Sequence, residues 1–549
     1  MSNSLRSLLK LLLPVVIILL IGCGGGGGGD DGGVVVDTTP PPVPAGLTAT
    51  RVSASRIDLA WSASTDAVGY KIYRNGTFLM NNFGGTTRSD LNLTAKTTYT
   101  YRVSAIDSAG NESAQCALAS ATTMETATQL LGTTGNDYGR GIAIDPSGNM
   151  YVTGWTPGNL DGQTGGPDIF LTKYNASGVR QWTRLLGTTG VTEPVVGDFG
   201  GVGQNVAVDS AGSAIYVTGY TTASMDGQPY RNGKDIFLVK YDPTGNKVWT
   251  RMYGTTSATA VDDVATSVAV DSRGFIFITG WTTGDLDGAF PGPFGQEDIF
   301  LAMYYDTGNR SWLIQRGTTE TDIATSIAVD NSGGNYWVYL TGATKGNLDG
   351  ARTTSTGNFD IFLVQYDISI ESTPTWTWTK MLGTTSDDAA LAINARNTTV
   401  HIAGFTGGSL DGHSSAGGND IFVAAYDHAG VKLWTTQYGT SADDVAYGIT
   451  VDSIGNSYVT GFTGGSTPFK PNAGEEDIFL AKFGIGGGPP FAVSLAGTTA
   501  GDEGRAIAIR ESDKFFYVVG FTAGNLDGEP NAGGYDMCLL KFNEAGEQQ

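Results

Sequence analysis

The chain has 549 residues, and 32 Lys+Arg against 54 Asp+Glu leave a formal charge of −22 at pH 7. With no basic cluster after the leader, this balance argues against a nucleic-acid partner, because binding a phosphate backbone needs a positive face that displaces counterions. Three cysteines with no Cys-x-x-Cys spacing argue against a disulfide framework, and Cys116 and Cys538, which fall in different predicted domains, read as buried thiols.

In chain order the first element is a leader. Arg6 and Lys10 precede an apolar run over 11–22 that is too short to span a bilayer, which takes about 20 apolar residues. The run ends in Leu20-Ile21-Gly22-Cys23, which resembles the lipobox of bacterial lipoproteins. That resemblance implies cleavage after residue 22 and lipidation of Cys23, with the membrane as a partner through the lipid. Gly24 is not the Asp associated with inner-membrane retention, so the expected location is the outer membrane, facing either the periplasm or the outside. Residues 23–38, with eight glycines and few apolar side chains, read as a flexible tether with a reach of about 25 Å.

From 39 to 123 short alternating strands are predicted. Ile57, Leu59 and Trp61 alternate, Tyr70, Ile72 and Tyr73 lead into the turn dipeptide Asn75-Gly76, and Tyr99, Tyr101, Val103 and Ala105 alternate again. With Trp61, the GYKIYRNG stretch and Leu93-x5-Tyr99, this region resembles a fibronectin type III domain, which implies a β-sandwich with Trp61 in its core.

Periodicity organises the rest. Gly-Thr-Thr or Gly-Thr-Ser begins at Gly132, Gly187, Gly254, Gly317, Gly383, Gly439 and Gly497, at intervals of 55, 67, 63, 66, 56 and 58 residues. Asp-Ile-Phe recurs from Asp168, Asp235, Asp298, Asp360, Asp420 and Asp477, with Asp536-Met537-Cys538 as the seventh copy. Within the first copy GIAID, MYVTGW, DIFLTKY and VRQWTRLL are four strand-like runs, which makes each repeat one propeller blade. The final copy breaks off before its fourth run, and 125–131 supplies a substitute that would close the ring. The phrases DSxGNxYVTG and DIFLxKYD resemble the SBBP-type (beta-propeller repeat) proteins of bacteria over 125–549. The expected fold is therefore all-β, a fibronectin type III β-sandwich followed by a seven-bladed β-propeller.

Marks present in every blade read first as architecture. Asp161, Asp226, Asp287, Asp349, Asp411 and Asp527 each precede Gly in a turn, and calcium is the rival reading for these carboxylates, since it prefers hard oxygen ligands. Departures from the repeat are better places for a unique site. Insertions on one face add Phe199, Phe290, Phe294, Phe469 and Lys470 as candidate ligand contacts, and acidic residues such as Asp262, Asp263, Asp387, Asp388, Asp443 and Asp444 share that face. His401, His413 and His428 fall on a strand and on two opposite turns, so no catalytic constellation is expected from them. Trp182, Trp249, Trp312 and Trp434 read as recurring packing residues. The expected function is binding of a protein or polysaccharide through the loop-bearing face. The rivals are a hydrolase or lyase using acidic channel residues and a calcium-stiffened surface stalk.

Overall fold

The computed structural model describes residues 37–549 except 53–55, 83–84, 91–92, 95–96, 124–127, 164–166, 188–205, 258, 287–295, 332–333, 335, 349–357, 371–373 and 397. Cys23, Phe199, Asp287, Phe290, Phe294 and Asp349 lie outside the described residues. The chain is nearly all β. Among the described residues no helix is long and apolar enough to cross a membrane.

In the N-terminal module Ile57–Ala60 pairs with Thr48–Arg51 on one side and Thr87–Asp90 on the other. Gly69–Arg74 pairs with Thr77–Asn82 and with Thr98–Ile106. Asn75 and Gly76 both take positive φ, 51° and 79°, the backbone that a type I′ hairpin turn requires and that Asn-Gly tolerates. Trp61 is a core residue, packed edge-on against Tyr70 with ring centres 5.4 Å apart. The Tyr99 hydroxyl accepts the Thr94 amide at 2.9 Å and so ties down the corner before its strand. Cys116 and Cys538 are both buried and free.

The strands from Gln129 onward form antiparallel meanders of four, two of which are joined into one eight-stranded sheet by a short parallel pairing of Gly233 and Lys234 with Val261 and Asp262. The first comprises Tyr138–Ile144, Met150–Thr156, Asp168–Tyr174 and Arg180–Leu186. The last comprises Asp502–Arg510, Phe515–Thr522 and Asp536–Phe542, and its fourth strand comes from the other end of the region, Gln129–Leu131, with Leu130 opposite Cys538. The opening strands of the sets are Tyr138–Ile144, Val206–Val208, Val261–Val270, Asp322–Asp330, Asp388–Arg396, Asp444–Val451 and Asp502–Arg510. Each packs against the next, and Asp502–Arg510 packs against Tyr138–Ile144, so the circuit of inner strands closes.

The middle strands are predominantly apolar and nearly wholly buried because neighbouring sets cover both faces; every residue of Ile276–Thr282 and Asp298–Tyr304 is buried. Adjacent sets thus share cores, one of which gathers Phe277, Leu301, Leu340 and Phe362. The recurring outer tryptophans also latch one set to the next. Trp249 Nε1 donates to the Asp306 carbonyl at 3.0 Å and Trp434 Nε1 to the Ile485 carbonyl at 2.9 Å.

Candidate functional site

The most repeated marks are structural, and their chemistry explains the signature. The Thr440 amide and hydroxyl both donate to Asp444 Oδ2, at 2.5 and 2.9 Å, and Thr133, Thr318, Thr384 and Thr498 do the same to Asp137, Asp322, Asp388 and Asp502. The aspartate that opens the third strand turns back onto its own loop: Asp420 Oδ2 accepts the Ala416 amide at 2.8 Å, and Asp536 Oδ2 the Ala532 amide at 2.6 Å. Glycine precedes the threonine because these carboxylates fill the space a side chain would need. A Cβ at Gly439 would lie 2.0 Å from Asp420 Oδ1 and 3.0 Å from Asp444 Oδ2. Burial, with a second carboxylate close by, pushes Asp235 and Asp536 up to about 6.

Of the acidic residues expected on the loop-bearing face, Asp387 and Asp443 are exposed and Asp262 half-buried, whereas the other three are a correction. Asp263, Asp388 and Asp444 are buried and tied to the loop threonines, because an inner strand entered from a tight loop needs its orphan amides capped. Their neighbours are engaged as well. Asp262 pairs with Lys234 at 2.8 Å, Asp387 accepts the Phe359 amide, and Asp443 accepts the Asn419 amide.

The described Asp-Gly aspartates all take positive φ, and each carboxylate meets the base of its own outer strand or an equivalent. Asp161 pairs with Arg180 at 2.7 Å, Asp226 with Lys247 at 2.6 Å and Asp411 with Lys432, while Asp527 accepts from Thr128 and Gln548. Among the described residues no three His, Cys, Asp or Glu side chains gather as a metal ion would need. Phe469 is 52% exposed in its loop, whereas Lys470 folds back and donates to the Leu495 carbonyl at 2.7 Å. Each histidine has its own partners: His401 bonds Ser457 and Thr399, His413 bonds the Thr435 carbonyl, and His428 packs on Trp337 and pairs with Asp330. Burial pushes His401 down to about 4.

A different position in the repeat builds a site. In six sets the inner strand carries a β-bulge opposite the glycine of the Tyr-Val-Thr-Gly phrase or its equivalent. There the strand's own carbonyl points at that glycine. A Cβ at Gly154, Gly280, Gly342, Gly404 or Gly520 would lie 1.9 Å from the carbonyl oxygen of Tyr138, Val264, Ile323, Ala389 or Glu503. A bulge re-aims one side chain, and the residues so displaced are Arg140, Thr266, Thr325, Leu391, Tyr447 and Arg505. All six line one cavity of about 170 Å³ inside the circuit of inner strands.

Two of the six are structural. Thr266 Oγ1 donates to the Ala324 carbonyl and Thr325 Oγ1 to the Ala390 carbonyl, each at 2.8 Å, tying one inner strand to the next. Arg140, Tyr447 and Arg505 give up that tie, and they sit on three consecutive inner strands across the closure. The Arg505 guanidinium lies 3.8 Å from the Tyr447 ring centre and 5.2 Å from that of Phe521. The Arg140 guanidinium lies 5.7 Å from the same Phe521 ring and 5.2 Å from Tyr138. Arg505 is ion-paired with Glu503. Among the described residues Arg140 has neither a hydrogen bond nor an ion pair, and burial together with the charge of Arg505 pushes it down to about 9. Tyr138 continues the aromatic wall, stacking on Trp155 at 6.0 Å and meeting Tyr535 at 5.7 Å. Burial, with Glu503 and Glu475 adding to it, holds the Glu476 carboxyl above its usual range.

Reading the sequence for recurrence passes over these residues. The signal is present in the third residue after each inner-strand aspartate, which is Thr after Asp263 and Asp322 but Arg after Asp137 and Asp502.

The family described as "Beta-propeller repeat" (SBBP) matches at residues 127–161, 248–287 and 433–470. The chain is similar to the regulatory protein FlaEY of Caulobacter vibrioides, 26% identical over 416 residues, which are 68% of this chain and 42% of that protein. It is also similar to chitinase Chi52 of Paenibacillus xylanexedens, 46% identical over 84 residues, 15% of this chain and 16% of the chitinase. The chain thus spans less than half the length of these curated relatives. Among solved structures, an Fn3-like protein from Clostridium thermocellum is 29% identical with a TM-score of 0.15, covering 16% of this chain and 97% of that one. The chain carries beta-propeller repeats, and the site lies in the repeat region.

Proposed function

We propose that this chain is a binding protein of the bacterial cell envelope, anchored through a lipid on Cys23, whose seven-bladed propeller takes a carbohydrate chain at its channel mouth. The observation that carries this reading is the exchange of tie-making threonines for Arg140, Tyr447 and Arg505 at bulges that aim them into one cavity. The neighbouring rings of Tyr138, Trp155 and Tyr535, backed by the buried Phe521, offer flat apolar faces with polar edges, the surface on which a sugar ring packs. Relatives named as chitinases, an amylase and an exoglucanase support carbohydrate as the ligand class. The closed circuit of inner strands supports seven blades, and the exposure of Phe469 in its loop supports it as a second candidate contact.

Binding to an array of bacterial and plant polysaccharides tests the proposal. Wild-type protein is expected to retain at least one glycan, with affinity reduced by Tyr447→Ala and less so by Phe469→Ala. Retention of no glycan would overturn it and move the weight to a protein partner. One observation favours a second reading, a propeller hydrolase or lyase: the Glu476 carboxyl is held above its ordinary range near Glu503. Cleavage of the bound glycan by the wild type, lost in Glu476→Gln, would establish that reading instead.

A further inference from the structure

We propose that Arg140 and Arg505 together form a carboxylate-recognition point in the channel, so that the ring bound there is a uronic acid rather than a neutral sugar. The inference rests on the carbohydrate reading above and specifies its ligand. Two guanidiniums flank one Phe521 ring, in a chain whose formal charge is −22. Like charges brought together away from bulk water are costly, and structures keep them where an anion is to be held. Of the two, Arg505 already has Glu503 as counter-ion, whereas Arg140 has no ion pair among the described residues. With Glu476 also near Arg505, the one guanidinium left without an ion pair is that of Arg140, and a single such group suits a monoanionic carboxylate better than a dianionic phosphate.

Size and walls agree with this. A cavity of roughly 150 Å³ accommodates a benzene-sized ring, and the channel cavity here is about 170 Å³. Its floor and sides are mixed. Thr266, Thr325 and Ser326 contribute hydroxyl groups near the level of the arginines, while Tyr447 and Leu391 contribute apolar surface. A single six-membered ring with hydroxyls and one carboxylate matches that lining.

The test is calorimetric titration of the full chain, kept in mild detergent, with glucuronate, galacturonate, glucose and inorganic phosphate. At least one uronate is expected to bind while glucose does not. Arg140→Met is expected to weaken uronate binding at least about tenfold, the loss for a hydrogen bond to a charged group. Arg140→Lys, which keeps the charge but loses the planar fork, is expected to fall between and serves if the Met variant fails to fold. Wild-type protein that ignores both uronates, that binds glucose equally well, or that prefers phosphate would overturn the inference whatever the variants do. So would unchanged affinity in a folded Arg140→Met. A polysaccharide retained on the array with no response to free uronates would sink this inference alone, whereas no glycan retained at all would sink the underlying reading too.

Discussion

Gly404 faces the carbonyl of Ala389 so closely that a methyl group in its place would sit 1.9 Å from that oxygen. The bulge that aims Leu391 into the channel therefore depends on a residue of the next strand having no side chain. Gly404→Ala should cost about 3 kcal/mol or more, since the obstacle is backbone and cannot rotate away. Gly412→Ala, at φ +83° with nothing within 4 Å, meets only left-handed strain and should cost about 1 to 2 kcal/mol. Urea unfolding midpoints of the two variants would rank them, and equal losses would refute the bulge argument.

Stability should rise as the medium is acidified from pH 8 to pH 5. Asp235 and Asp536 are pushed up to about 6, and Asp263, Asp322, Asp388, Asp444, Asp477 and Asp502 also lie above the usual range, all through burial first. In the unfolded chain such groups titrate near 3.9. A raised folded value means that their contribution is complete below about pH 4 and lost as pH climbs through about 6. His401 opposes them within this window, because burial holds it at about 4 while the unfolded imidazole takes its proton at about 6.5. It offsets only part of the combined gain from the carboxylates, and Glu112 and Asp242, both held at about 2, matter only on further acidification. The Tm measured across this window should climb toward pH 5, and Asp536→Asn should flatten part of the slope. A Tm that falls from pH 8 to pH 5 would contradict the burial of these carboxylates.

Chelation should leave Tm unchanged. Asp161, Asp226 and Asp411 each already hold a Lys or Arg of their outer strand. Asp161→Asn should accordingly cost no more than about 1 kcal/mol, the range of a partly exposed ion pair. A drop in Tm on adding chelator, restored by calcium, would reinstate the cation reading of these turns.

The bulge position should separate stability from binding. Thr325→Val removes a hydroxyl that bonds both the Ala390 and Thr341 carbonyls, and about 1 to 2 kcal/mol should go with it. Arg140→Thr should do the reverse, raising the urea midpoint by relieving a buried guanidinium crowded by Arg505, while weakening ligand. Two variants that shift the midpoint in the same direction would argue against a functional exchange at this register.

The fold was legible because its marks recur: a glycine that must clear a carboxylate, as Gly439 must clear Asp420, is forced to repeat wherever the loop repeats. The same habit hid the candidate site. Arg140 and Arg505 occupy equivalent registers in the first and last sets, and only the return of Asp502–Arg510 to Tyr138–Ile144 makes them neighbours. The acidic loops were misjudged for a related reason. A carboxylate beside a turn looks solvent-facing in one dimension, and nothing in the local residues announces that Asp263 or Asp388 will be enclosed by the adjoining strand.

The strand Gln129–Leu131 waits for a partner that is made much later, Asp536–Phe542. A chain leaving the ribosome from its N-terminus carries this segment unpaired until Asp536–Phe542 has followed, so the ring is timed by its final strand rather than its first. Through that interval one sheet edge stands open, and the competing product is exchange with the same strand of a second molecule. Dilution should favour the monomer, and interrupting synthesis before residue 536 should leave both Gln129–Leu131 and Phe515–Thr522 as sticky edges open to aggregation and proteolysis.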